Sequence, residues 1–150
     1  MSCLLNSCNK YVYYEGPDFF YFDTSNPQNG ATSISDNATI TGSNALEYYI
    51  HFSSKERSEA VELSFSVTYT DGLLPGRDFR LTGESTTGKI VFYPGSNYDR
   101  PIRMEFLPHD LEKNERIILT LTSCSDPSVS LGKPGPGLYG NSLTIVKYKH

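Results

Sequence analysis

His51 and His109 are the side chains whose type best suits proton transfer near neutral pH. A nucleophile–base pair also needs a partnered Ser or Cys, and no spacing in the chain supplies one. There is no GxSxG, no HExxH and no Walker loop. His51 falls on the polar side of an alternating segment, and His109 falls in a turn. Lys133 stands among glycines in GKPGPGLYG (132–140). That stretch lacks the Gly-Lys-Ser/Thr ending of a phosphate cradle, and its prolines remove amide donors, so it reads as a hairpin loop. Carboxylates paired for sugar hydrolysis are defined by their separation in space, which leaves a glycoside-active enzyme open as an alternative. The cysteines are Cys3, Cys8 and Cys124, an odd count that cannot pair completely within one chain. They form no CxxC or Cys/His cluster for zinc, and a bridge from Cys124 to the N-terminal segment is one alternative.

Aromatic chemistry is the richer signal. The chain has eleven Tyr and eight Phe and no Trp. Tyr11, Tyr13, Tyr14, Tyr49, Tyr93, Tyr98 and Tyr139 are more than a core requires. Rings of this kind can stack on pyranose faces, which makes Tyr49, Tyr93, Tyr98 and Tyr139 the candidate contacts for a glycan or a protein partner. The structural alternative is that they protect strand edges. The net charge is −4 with both signs scattered, which excludes the concentrated basic patch that nucleic acid requires. No apolar run reaches the roughly 18 residues of a membrane-spanning helix. Asn37-Ala38-Thr39 has the form of a glycosylation acceptor.

Strands must position these residues. Segment 61–69 (VELSFSVTY) puts Val61, Leu63, Phe65, Val67 and Tyr69 on one face and Glu62, Ser64, Ser66 and Thr68 on the other. Segments 100–106 (RPIRMEF) and 116–122 (RIILTLT) alternate in the same way, and 89–93 (KIVFY) is a short apolar run. Alternation at period two gives each strand one dry face and one wet face. Further strands are expected at 19–23 (FFYFD), 45–53 and 143–148, with a short edge strand near 38–41. The segments between are rich in turn residues: Asp71-Gly72, Pro94-Gly95, and the Gly/Pro-rich stretch 125–141. Segment 73–82 is a crossing piece that buries Phe79. Helical spacing appears nowhere over eleven or more residues.

The fold expected is an all-β, antiparallel, immunoglobulin-like sandwich of about seven strands. Residues 15–150 form its single domain, and 1–14 form a flexible N-terminal segment. Its core is expected from Phe20, Phe22, Ile50, Phe52, Leu63, Phe65, Val67, Ile90, Phe92, Ile102, Met104, Phe106, Ile117, Leu119, Leu121, Leu143 and Ile145. A chain of 150 residues is long enough to bury such a core without disulfide staples.

Leu4-Leu5-Asn6-Ser7-Cys8 resembles the end of a bacterial lipoprotein signal, which makes Cys8 a lipid attachment site. Asn6 departs from the small or aliphatic residue usual at that place, and the preceding apolar stretch is short. The alternative is a tail with incidental cysteines. If the resemblance holds, acyl chains at Cys8 supply the only contact with a membrane.

Asp71-Gly72, then Gly76-Arg77-Asp78-Phe79, then Gly88-Lys89-Ile90-Val91-Phe92-Tyr93-Pro94-Gly95, then 103–110 and Asn114-Glu115 follow one another in an order that resembles a Calx-beta domain. The likeness covers 61–122, about half the chain. The front of the chain, with Tyr14-Glu15-Gly16-Pro17-Asp18-Phe19-Phe20-Tyr21-Phe22-Asp23, is similar to small Bacteroidetes surface lipoproteins. The first resemblance implies calcium as an alternative cofactor, with Asp71 and Asp110 as its ligands, because Ca²⁺ takes six to eight oxygens. Where that family often has consecutive acids this chain has Pro108-His109-Asp110, and Glu112 and Glu115 lie further along. The second resemblance implies export to the outer membrane or cell surface and a link to polysaccharide uptake. Together they give a non-enzymatic surface domain with no resident cofactor that contacts glycan or envelope proteins. The alternatives are a calcium-stabilised adhesion module and the glycoside-active enzyme.

Overall fold

Strict alternation from Val61 to Phe65 is what buries Val61, Leu63 and Phe65 while exposing Glu62. The same rule, applied strand by strand, closes two sheets over one apolar layer. The computed structural model describes residues 16–22, 33–35, 44–70, 72–95, 98–107 and 115–148. Its strands are β1 (Phe19–Phe22), β2 (Ser33–Ser35), β3 (Asn44–Ser53), β4 (Val61–Tyr69), β5 (Phe79–Leu81), β6 (Lys89–Phe92), β7 (Tyr98–Phe106), β8 (Glu115–Cys124), β9 (Ser130–Leu131) and β10 (Ser142–Tyr148). A single 3-10 turn, Gly83–Thr87, precedes β6.

One sheet has the order β5-β7-β3-β1-β9 and the other β2-β10-β8-β4-β6. Pairing is antiparallel except at two short edges, where β9 lies parallel to β1 and β2 parallel to β10. β2, β5 and β9 have two or three residues each, so the sandwich rests on seven longer strands, as the alternation predicts. The 38–41 segment lies outside the described residues. In β8 the register against β4 slips between Ser64 and Phe65, leaving Thr122 as the extra residue. Thr122 and Ser123 are consequently both exposed, and Leu121 returns to the core.

Every expected core residue is buried except Val67, which is only partly covered. Tyr48, Val61, Leu73, Phe79 and Val129 join them. Burial pushes the Tyr48 hydroxyl above the ordinary phenol range. Tyr69, expected to face inward, meets Phe79 of the opposite sheet edge to face at 5.5 Å, but at the end of β4 it stays 45% exposed. The two sheets meet through aromatic rings. Phe20 stacks on Phe52 with centroids 4.2 Å apart, and Phe92 from the opposite sheet packs 4.8 Å from Phe20 and 5.5 Å from Phe52.

Polar side chains close the β6–β7 side. Arg100 donates to the Val91 carbonyl at 2.6 Å and pairs with Glu84 at 2.9 Å. Glu84 in turn accepts the Val91 amide at 3.1 Å. Ser85 is buried, and its hydroxyl accepts the Arg103 amide at 2.8 Å. Among the described residues no helix is long and apolar enough to cross a membrane.

Candidate functional site

Whatever points into the sandwich on β1, β3 and β7 leaves its neighbours pointing out. β1 turns Phe20 and Phe22 inward and Tyr21 outward. β3 turns Tyr48, Ile50 and Phe52 inward, so Glu47, Tyr49 and His51 face out, and β7 likewise turns Asp99, Pro101, Arg103 and Glu105 outward, with Asp99 and Arg103 exposed and Pro101 and Glu105 partly covered. Register then sets neighbours across this outer face: Tyr21 beside His51, His51 beside Asp99, Tyr49 beside Pro101, and Glu47 beside Arg103. The Tyr21 and His51 rings meet edge to face at 5.4 Å. His51 Nδ1 and Asp99 Oδ1 are 2.5 Å apart. Arg103 pairs with Glu47 at 3.2 Å, and Arg80 on β5 pairs with Glu105 at 2.6 Å.

The 132–140 loop folds back over this face. Its two ends are hydrogen-bonded to β1: the Gly132 amide donates to the Phe20 carbonyl at 2.7 Å, and the Phe22 amide donates to the Gly140 carbonyl at 2.9 Å. Within the loop the Lys133 amide donates to the Tyr139 carbonyl at 2.8 Å. Gly140 has φ +81°, a left-handed conformation that glycine adopts freely and other residues adopt under strain. Held this way, Lys133 Nζ lies 4.5 Å from the Tyr21 ring centre and 5.5 Å from that of Tyr139. Tyr139 is 59% exposed. The result is a shallow platform of two phenol rings around an ammonium, bordered by His51 and Asp99.

The tyrosines singled out in the sequence separate into different places. Tyr139 is on the platform, and Tyr49 is half-buried on the same outer face, on β3. Tyr93 and Tyr98 lie at the β6–β7 side. Tyr93 is 60% exposed with the Arg100 guanidinium 5.5 Å over its ring. Tyr98 packs its ring 5.5 Å from Phe92 and donates its hydroxyl to the Tyr93 carbonyl at 2.6 Å. Cys8, Asp71 and Asp110 lie outside the described residues, as do Tyr11, Tyr13, Tyr14 and His109. Sequence reasoning did not single out Tyr21 as outward-facing; its position between Phe20 and Phe22 is the signal that marks it. Nor does spacing reveal that Lys133 returns to β1.

Two other polar constellations are structural. Asp78 is fully buried; its carboxylate accepts the Leu74 amide at 2.7 Å and Arg77 Nε and Nη2 at 2.9 and 2.8 Å. Arg57 bridges Asp18, at 2.5 Å, and Asp126. The Ser128 hydroxyl and amide, followed by Arg57, hold the Asp126 carboxyl at about 2, below its ordinary 3.8. Asp18, Lys55, Glu56, Arg57, Ser58 and Glu59 line an open groove of about 360 Å³ beside this bridge. Cys124 is a free thiol, not bridged to the N-terminal segment, and burial raises its pKa away from nucleophilic use.

No family model matches the chain, and no curated protein matches it. Solved structures do. The apo-form Calx CBD1 domain superposes with a TM-score of 0.55 at 17% identity, covering 89% of this chain and 98% of that one. The calcium binding domain CBD12 of CALX1.1 gives 0.52 at 16% identity over 88% of this chain and 44% of that one. CBD12 from CALX1.2 gives 0.52 at 18% identity over 87% and 43%. These likenesses define the fold: an immunoglobulin-like sandwich of the Calx-beta kind.

Proposed function

We propose that the chain is a non-enzymatic binding module that contacts glycan through the outer face of β1 and β3 and the 132–140 loop. The observation that carries this reading is the pairing of Tyr139, 59% exposed, with Tyr21 around one ammonium. Aromatic faces at a sheet surface suit pyranose rings, whose C–H groups stack on them, and the bordering His51, Asp99 and Lys133 can reach ring hydroxyls. Cys8, as a lipid attachment site, would tether the module at a bacterial outer membrane or cell surface; Leu4-Leu5-Asn6-Ser7-Cys8 supports that location. Affinity electrophoresis through gels containing neutral and acidic polysaccharides tests the reading. Retardation by at least one polymer that is lost in Tyr139→Ala supports it. Unretarded migration in every gel defeats it, and capture of envelope proteins alone would favour the protein-partner alternative.

A second reading, a calcium-stabilised adhesion module, draws on the names of the solved neighbours, one of which is a calcium binding domain. The described residues do not fit the ion. None of them form a group of three His, Cys, Asp or Glu side chains able to hold a metal, and the buried Asp78 carboxylate is taken up by Leu74 and Arg77. Asp71 and Asp110 remain its sequence candidates. A melting temperature raised by millimolar Ca²⁺ and returned to baseline in Asp71→Ala would support this reading; melting unchanged by the ion rules it out.

A further inference from the structure

We infer that the platform selects sugars carrying a carboxylate, with the Lys133 ammonium as the group that binds it. This inference rests on the glycan reading of the same site and names the class of sugar. The other described basic side chains facing out here are partnered within the fold: the His51 imidazole on Asp99, Arg103 on Glu47 and Arg80 on Glu105. Among the described residues Lys133 has no carboxylate partner; it is held by ring faces alone. A ring quadrupole attracts an ammonium without consuming its N–H donors, of which Lys has three. The donors turned from the rings remain available to an anion.

Geometry favours a single carboxylate over a phosphate. A phosphate cradle converges several N–H groups on one point. Here Pro134 and Pro136 have no amide hydrogen, the Lys133 amide is given to Tyr139, and the Leu138 amide is given to Gly135. The Lys133 ammonium is the one charged group that the loop offers. With the ammonium 5.5 Å from the Tyr139 centroid, a pyranose resting against the exposed part of that side chain can turn an exocyclic carboxylate toward Lys133. The loop hydrogen bonds to Phe20 and Phe22 hold this arrangement before ligand arrives, which limits the ordering cost of binding. The Glu47 and Glu105 carboxylates are each paired with an arginine, and Asp99 is hydrogen-bonded to the His51 ring, which tempers repulsion of an acidic sugar at this face.

The test compares gels of a polyuronate, the same polymer with its carboxyls reduced, and dextran sulfate. The full chain is run beside Lys133→Met and Lys133→Arg. The expected result is retardation by the polyuronate that weakens about tenfold when the carboxyls are reduced or when Lys133 becomes Met, with Lys133→Arg retaining most of it. Unchanged circular dichroism and melting of Lys133→Met show that the loss is not unfolding. No retardation by any polymer defeats the glycan reading itself. Equal retardation by the polyuronate and its reduced form leaves that reading standing and overturns this inference. Dextran sulfate binding as strongly as polyuronate, or polyuronate binding undiminished in Lys133→Met, overturns it too.

Discussion

Gly140 lies against Tyr21 so closely that a Cβ added to it would fall 2.7 Å from the Tyr21 Cβ. That contact is the place where the 132–140 loop is keyed to β1, one residue from the Gly140 carbonyl bond to the Phe22 amide. The platform exists because this loop cannot lift away without breaking it.

Gly140→Ala is therefore expected to destabilise by about 2–4 kcal/mol, combining the strain of a left-handed alanine with an overpacked neighbour that is anchored to backbone. Gly137→Ala, at φ +83° with nothing within 4 Å of the new methyl, bears only the conformational strain and should lose about 1 kcal/mol. Urea unfolding of the two variants checks the difference. Equal midpoints would show that the loop does not bear on β1 in solution.

Phe92 is the ring by which the second sheet reaches the Phe20–Phe52 stack, and it is fully buried. Truncating it to Ala removes an inter-sheet contact that no neighbour can refill, at a cost of about 3–5 kcal/mol. The urea midpoint should fall with an unchanged slope. A loss under about 1 kcal/mol would mean that the sheets are held apart from this cluster.

Asp78 sits one residue before Phe79 and supplies the acceptor for the Leu74 amide. Replacing it with Ala leaves that part-buried amide without its acceptor, which costs about 1 kcal/mol. Asp78→Asn keeps an acceptor oxygen and should cost less. Arg77, 46% exposed on its side chain, contributes little through solvent-screened charge. Amide hydrogen exchange separates the two variants: Leu74 should lose protection in the Ala form and keep most of it in the Asn form.

The sandwich was legible wherever burial follows a period. Phe20, Ile50, Leu63, Ile102 and Leu119 announce their faces because each sits between two polar or outward neighbours along a strand. Leu73 and Val129 do not, since both are buried from turns, where no alternation exists to read. β9 has two residues and pairs in parallel with β1, a contact set by the return of a long loop rather than by local propensity. The same holds for the platform. Tyr139 stands out by type, but its partner Tyr21 is 118 positions away (139 − 21), and the Lys133 ammonium lies near both rings. Tyr98 shows the converse. Its type suits exposure, yet its place at the start of β7, opposite Phe52, turns the ring onto Phe92.

Acid should weaken the fold partly through Asp126. The Ser128 hydroxyl donates to Asp126 Oδ1 at 2.7 Å and the Ser128 amide at 2.9 Å, while Arg57 holds the other oxygen. Together they lower the carboxyl pKa from 3.8 to about 2. The lowering means that the unfolded chain takes up this proton first. The stabilisation is complete above the unfolded value and is lost as pH falls toward the folded one. Ser128→Ala removes the largest contributor, so its melting temperature should lie below that of the parent at neutral pH. The gap should narrow below about pH 4, where the parent loses what the variant never had. Arg57→Ala should show the same convergence through this carboxylate, because its guanidinium also lowers the Asp126 pKa by hydrogen bond and charge. A gap between parent and Ser128→Ala that stays constant from neutral pH to about pH 2 would detach Asp126 from the acid response and leave the Ser128 contacts as simple turn hydrogen bonds.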